Sequence, residues 1–225
     1  MPSYKKHALF SLIIALPFFQ DIFCLSLAVI GASIIDMDHH VKKNNLILLA
    51  VFGILISIIL YILKIPFLIG ISLIVMALIF YLSKHRGFSH SLFGTLVLSF
   101  LLSFFILGFY ALFYGFINSK LFTIIISFIL GIIVLNKKIL LPFIILSSVG
   151  IIIAPDSNLN FYYVFLALLL GSLSHVLLDL FTPMGIELFN PLSSRKFKKG
   201  FGSLLFILWA FSAFIFVFKY KYTLI

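Results

Sequence analysis

In 225 residues the chain has only six carboxylates, Asp and Glu together, and six histidines. Most of them fall in three short stretches. The first is Asp36-Met37-Asp38-His39-His40, the second is His85-Arg86-Gly87-Phe88-Ser89-His90-Ser91, and the third is Ser174-His175-Val176-Leu177-Leu178-Asp179. Carboxylate oxygens and imidazole nitrogens are ligands for zinc and similar divalent ions. His175 and Asp179, at i and i+4, share a helical face and can share a metal. His85 and His90 can converge if Gly87 turns the chain before the next helix, with Ser89 as the expected N-cap of that helix. Arg86 carries a planar guanidinium suited to phosphate or carboxylate. Each stretch also has a plain reading. The first can be a helix end running into a solvated loop, the second a polar loop between spans, and the third a His–Asp hydrogen bond tying two helices together. His7 stands apart, and joins the others only if the N-terminal region folds back.

The elements that must position these groups follow from composition. Hydrophobic residues make up 64 % of the chain and charged residues 10 %, and the mean hydropathy is +1.30. A soluble domain is about half apolar and about a quarter charged. This chain cannot cover itself with polar surface, which excludes a soluble monomer, and the same numbers exclude disorder. Apolar runs at 8–35, 46–63, 67–82, 92–116, 121–135, 139–154, 161–181 and 204–218 predict an all-α, polytopic transmembrane helical bundle. The expected count is about seven spans plus an N-terminal helical hairpin, the shorter runs borrowing flanking residues. Nothing marks a linker or a repeat, so residues 1–225 read as a single integral membrane domain. Cys24 is the only cysteine, which excludes an intrachain disulfide and a cysteine zinc cluster. Lys5 and Lys6 precede the first run as in a signal peptide. No small-residue cleavage site follows, however, and the segment reads as retained.

The hairpin is predicted because Pro17, Gln20 and Asp21 interrupt the first run. A carboxylate and an amide in mid-helix are costly against lipid, so two half-length helices with the break inside the protein are preferred over one long helix. His7 and Asp36 then lie on one side. On that topology Lys5, Lys6, Lys42, Lys43, Lys84, Arg86, Lys137, Lys138, Arg195, Lys196, Lys198 and Lys199 share a side, and Lys64, Lys120, Lys219 and Lys221 face the other. Excess Lys and Arg marks the cytoplasm, so the motif-bearing face is expected to be cytoplasmic and the chain to sit in the plasma (inner) membrane. The net charge of +10 then serves orientation and anionic headgroups, and no nucleic-acid partner is expected. Three segments thus bring His with Asp or Arg to one membrane face, and a helical bundle can assemble such side chains into one metal site. Phe181-Thr182-Pro183-Met184-Gly185 ends the last of these helices, and residues 186–191 are expected as a lip over the site. Asp156 reads as turn chemistry on the opposite face.

These segments resemble the motifs of the LexA-regulated membrane-bound metal-dependent hydrolase family. Its members carry a His near the N-terminus and an Asp-x-Asp-His after the first hydrophobic stretch. They also carry His-Arg-Gly-x-[Ser/Thr]-His-Ser, and Ser-His-x-x-x-Asp followed by Thr-Pro-x-Gly. Here these read His7; Asp36, Asp38 and His39; His85, Arg86, Gly87, Ser89, His90 and Ser91; and Ser174, His175, Asp179, Thr182, Pro183 and Gly185. The resemblance covers nearly the whole chain in order, and its specific parts are the second and last blocks. His40 departs from the pattern, which often has Pro there, and the spans outnumber those of shorter members. The family is remotely similar to zinc-dependent phospholipase C and nuclease enzymes. The resemblance therefore implies a phosphoesterase near the membrane, holding a divalent metal, zinc, as one to three ions. Its ligands would come from His7, Asp36, Asp38, His39, His85, His90, His175 and Asp179.

Three classes of function follow. The first is a hydrolase of a lipid phosphoester, with membrane phospholipid as partner and substrate, Arg86 on the phosphate and Asp36 as general base. The second is a transporter of a metal ion or small solute, for which the broken first helix and Asp21 would be the deep polar features. The third is a non-catalytic, lipid-binding membrane protein whose polar clusters lock helices together. A serine hydrolase using Ser89 or Ser174 lacks a glycine-flanked nucleophile elbow.

Overall fold

The computed structural model describes residues 3–38, 43–157 and 159–222. Among these it has nine helices and no strand: α1 (Tyr4–Ala15), α2 (Ile22–Ile34), α3 (Lys43–Ile62), α4 (Leu68–Leu82), α5 (Leu92–Phe113), α6 (Ser119–Val134), α7 (Lys137–Ile153), α8 (Phe161–Leu180) and α9 (Lys199–Tyr222). The helices follow the apolar runs closely. Three of their starts share one cause: Asn118, Asn136 and Asn160 cap α6, α7 and α8 by accepting backbone N–H bonds at 2.8, 3.0 and 2.9 Å. Such a cap satisfies one of the donors a helix start leaves open. Four helices, α3, α5, α8 and α9, are long and apolar enough to cross a membrane, and α4 and α6 are shorter apolar helices.

The first apolar run is two helices. Between them lies Pro17, and Asp21 caps α2 by accepting from the Phe23 N–H at 2.8 Å. The chain reverses here, so both ends of the run reach the same group of side chains. His7 Nε2 lies 3.8 Å from Asp179 Oδ1, and Asp36 Oδ1 lies 3.4 Å from His175 Nε2. The sequence places the break inside the protein. In the structure it lies at the opposite end of the bundle, with Gln20 exposed and Asp21 accepting from Ser157 Oγ at 3.0 Å. A capping carboxylate serves best where a helix starts, and α2 starts at that end.

Helices α2 and α8 run side by side in one direction, from Asp21 and Ser157 at one end to Asp36 and His175 at the other. Small residues set how closely they approach. A methyl group at Gly31 would strike the Leu168 carbonyl, and one at Gly171 would strike the Ala28 carbonyl. Ser172 Oγ donates to the Gly31 carbonyl at 3.0 Å. Between helices in lipid such close backbone contact and hydrogen bonding replace the missing hydrophobic drive. Helix α2 is buried at 11 of its 13 residues, which explains a sequence apolar on every face. The crossing holds His175 and Asp179 on α8 against the chain that leaves α2.

After α8, Ile186 and Leu188 are fully buried against Ile14, Val176, Leu177 and Leu180. The Ile186–Phe197 backbone bridge and a bond from the Leu92 N–H to the Leu188 carbonyl (2.9 Å) pin this stretch. Its apolar side chains make it a packed wall beside the site, not the lip the sequence suggests.

Candidate metal centre

Four elements converge at one end of the bundle. Helix α1 brings His7, and the 3-10 turn Ile35–Asp38 brings Asp36 and Asp38. The connection between α4 and α5 brings His85, Arg86, Ser89 and His90, and α8 brings His175 and Asp179. The described residues named as ligands from sequence therefore all come together. His39 and His40 lie outside the described residues.

At the centre, His175 Nε2 is 3.4 Å from Asp36 Oδ1 and 3.6 Å from Asp179 Oδ2. His90 Nε2 is 3.9 Å from Asp36 Oδ1 and 3.5 Å from Asp179 Oδ2. These separations exceed hydrogen-bond lengths of about 2.7–3.2 Å. The shorter three, 3.4 to 3.6 Å, are close to the spacing of about 3.3–3.5 Å between neighbouring ligands that each sit about 2.0–2.1 Å from one tetrahedral ion. All four atoms are buried without a hydrogen-bond partner, whereas buried polar atoms in proteins are nearly always bonded. Two unpaired buried carboxylate oxygens facing two imidazole nitrogens make a donor set that fits a cation.

Around this set lie further donors. His7 Nε2 is 3.8 Å from Asp179 Oδ1, and its ring stacks on that of His175 at 3.8 Å. Among the described residues three groups could hold a metal ion: His7, His175 and Asp179; Asp36, His90 and His175; and Asp38, His85 and His90.

Asp38 is held differently from Asp36 and Asp179. His85 Nδ1 lies 2.9 Å from its Oδ1, and Ser89 Oγ donates to its Oδ2 at 2.5 Å. His90 Nδ1 is 3.3 Å from the same Oδ2. Burial alone would push the Asp38 carboxyl up, but bonds from His85, His90 and Ser89 outweigh it and hold the group below the usual carboxylate range. The Asp38 hydrogen bond in turn raises His85 above the ordinary imidazole value, against partial burial. Ser89 Oγ also lies 3.1 Å from His90 Nδ1, so Asp38 and Ser89 together hold one nitrogen of His90 while the other points at the four-donor set, an outer arrangement that orients a histidine ligand.

Two local expectations change. The N-cap of α5 is Ser91, whose Oγ accepts from the Gly94 N–H at 3.0 Å, and not Ser89. Residues Phe88–His90 form a 3-10 turn, which moves the helix start on and leaves Ser89 to hold Asp38. The left-handed residue of the turn is Arg86, at φ 64°, and Gly87 beside it leaves room for the turn, since a Cβ there would lie 2.9 Å from the Lys84 carbonyl. A side-chain-bearing residue pays in strain for that conformation. It aims the guanidinium inward: Nη1 donates to Thr182 Oγ1 at 3.0 Å, and Nη2 is 3.8 Å from Asp179 Oδ1. Thr182 Oγ1 also donates to the Asp179 carbonyl at 2.7 Å. That role for Thr182 has two sequence signals, its place three residues after Asp179 where α8 ends and its place in the Thr-Pro-x-Gly block. The side chains of Asp38, His90, His175 and Asp179 are 0 % exposed, those of Asp36 and Arg86 8 % and 10 %, and that of His85 28 %. The cluster therefore opens on the side of Arg86 and His85. Asp156 stands away from it, 3.9 Å from Lys120.

A model of one protein family, described as YdjM inner membrane protein, matches residues 1–224 of the chain. No curated protein and no solved structure matches it. The family's description and the four long apolar helices fit an integral inner membrane protein.

Proposed function

The chain belongs to the YdjM inner membrane protein family, and we propose that it is a membrane-embedded, metal-dependent hydrolase of a lipid phosphoester. The observation that carries this reading is the set of four buried donor atoms, on Asp36, His90, His175 and Asp179, that face one another without hydrogen bonds. We assign the ion to these residues, with His7 beside them and zinc as the metal that suits two imidazoles and two carboxylates. A divalent ion there would lower the pKa of a water toward about 7 and polarise a phosphoryl oxygen.

The chain's own residues supply the rest. Arg86 stands at the open side with its guanidinium fixed by Thr182 (3.0 Å), placed to bind a phosphate and hold it as charge develops. Asp36 is the most accessible of the three carboxylates, at 8 % against 0 % for Asp38 and Asp179, and is the one we assign to yield its place at the ion to the attacking water and take a proton from it, since a catalytic ion keeps one position open. Asp38, with Ser89 and His85, orients His90. A second ion at Asp38, His85 and His90 would have to displace the protons that now join them.

In this reading α3 to α9 make seven crossings, with α1 and α2 as a hairpin. Helices α4, α6 and α7, of 15, 16 and 17 residues, cross by borrowing their flanks. The twelve basic residues grouped with Lys5 then make the cluster's face cytoplasmic. Two observations weigh against the other classes. Asp21, the deep carboxylate a transporter would use, is occupied as a cap at the far end. Apart from the 2.9 Å His85–Asp38 contact, the His–Asp separations around Asp36 and Asp179, 3.4 to 3.9 Å, are too long for bonds that lock helices.

The test is turnover by purified, metal-loaded protein on phospholipid, phosphatidate and diphosphate lipid. Metal-dependent release of phosphate or headgroup from one of them is expected. Protein that holds one or more ions per chain and hydrolyses none of them would overturn the reading.

A further inference from the structure

The hairpin of α1 and α2 has two working faces. On α1, His7, Ser11 and Ile14 turn into the protein. One step round the helix, Lys5, Ala8 and Leu12 line a groove of about 430 Å³ that α2 and α7 complete. That volume lies within the range of small-ligand sites, about 300–1,000 Å³. None of the candidate metal ligands lines it. Its two serines, Ser26 and Ser147, donate to their own helix carbonyls, Ile22 at 2.9 Å and Ile144 at 3.3 Å. The walls therefore present hydrocarbon.

One end differs. Lys5 is in the first turn of α1 and Lys138 in the first turn of α7, and both line the groove. The other end is where Ile22, at the start of α2, packs on Gly150 near the end of α7. From Lys138 to Ser147 the groove follows α7 for about 13 Å. Both lysines are exposed, and among the described residues neither has an ion pair. An apolar channel on the lipid-facing side, ending in two free cations on the face with the excess of Lys and Arg, is complementary to one kind of molecule.

We propose that this groove binds one acyl chain of an anionic phospholipid, with its headgroup phosphate between Lys5 and Lys138. The bound chain braces the back of the hairpin whose front carries His7. The site is separate from the metal centre and stands whether or not that centre hydrolyses lipid.

The experiment is native mass spectrometry of the full chain from mild detergent, offered equal amounts of phosphatidylglycerol and phosphatidylcholine with matched acyl chains. Wild type is expected to retain one phosphatidylglycerol in preference. Lys5→Gln/Lys138→Gln is expected to weaken retention about ten- to thirty-fold. Ala8→Trp keeps both charges and fills the groove, and is expected to expel the lipid. Leu146→Trp repeats that test at a wall position that is 72 % exposed, should Ala8→Trp not fold. Lys6→Gln/Lys137→Gln removes equal charge outside the groove and is expected to retain the lipid. Equal loss in both lysine pairs, no preference in wild type, or full retention in a folded tryptophan variant would each overturn the proposal.

Discussion

Asp179→Asn separates a metal centre from an ion pair that holds helices together. The amide keeps the shape of the carboxylate and removes its charge. Asp179 Oδ2 lies 3.5 and 3.6 Å from His90 and His175, and Oδ1 lies 3.8 Å from both His7 and Arg86. No side-chain contact of hydrogen-bond length is lost. In metal-free protein the substitution is therefore expected to change unfolding free energy by no more than about 1 kcal/mol, or to raise it by relieving a buried charge. A locking ion pair predicts a loss of about 3–5 kcal/mol instead. With metal the effect reverses. Structural zinc sites bind with about 10–16 kcal/mol, so each of four donors carries about 2.5–4 kcal/mol. Losing one should weaken binding roughly a hundred- to a thousand-fold. Competition against a chelator of known affinity gives that ratio, and denaturant unfolding in micelles with and without zinc gives the stabilities. At free zinc of about 100 times the wild-type Kd, wild type gains about 2.7 kcal/mol and a hundred-fold weaker variant about 0.4 kcal/mol. A large loss of stability without metal, together with unchanged zinc affinity, would refute the reasoning.

Other perturbations have distinct expected results. In metal-free protein the Asp38–His85 contact stabilises most between about pH 4 and about pH 6.5, the ordinary carboxylate and imidazole values. The lowered Asp38 loses its share as pH falls through its folded value, and the raised His85 loses its share as pH climbs through its own. Unfolding measured from well below about pH 4 to well above about pH 6.5 should show both limbs in wild type and neither in Asp38→Asn; a wild-type profile flat over that whole span would contradict it. Gly171→Leu forces a side chain against the Ala28 carbonyl and should cost at least about 1–3 kcal/mol and lower metal affinity by parting α8 from α2. Gly200→Leu, with nothing within 4 Å of the new Cβ, is the control, and equal effects in unfolding assays would refute the packing argument. Arg86→Lys should keep metal content and cut lipid-phosphoester turnover about a hundred-fold, through loss of the guanidinium fork; undiminished turnover would remove Arg86 from the mechanism. Asp21→Ala should cost about 1 kcal/mol as a lost cap without changing metal affinity. Metal flux into proteoliposomes that this variant abolishes would point to a transporter instead.

Much of this site is legible in the chain because lipid makes polar residues rare. When His and Asp cannot be spent on ordinary surface, their positions mark where helices meet, and His175 with Asp179 could be read from helical spacing alone. The break of the first run into two helices was legible from Pro17 and Asp21, and with it the arrival of His7 beside Asp179. The place of the break was not, because a carboxylate that caps a helix and one that lines an interior look alike in sequence. Ser89 and Ser91 show the same limit. Both can cap α5, and a single 3-10 turn decides which one does and which one holds Asp38. The left-handed Arg86 next to a glycine could not be foreseen, since local preference assigns positive φ to glycine and the Thr182 and Asp179 groups it meets are distant in sequence. The α2–α8 crossing was equally hidden. Gly31 and Gly171 are unremarkable in a chain with 13 glycines until the helices are seen to meet there.

The most direct measurement is the metal content of the purified chain by elemental mass spectrometry, beside that of the folded His175→Ala/Asp179→Ala variant. A metal centre predicts zinc, or another divalent ion, at one or more per chain in wild type and loss of it in the variant. Wild type that stays metal-free after incubation with zinc, manganese and iron would contradict it.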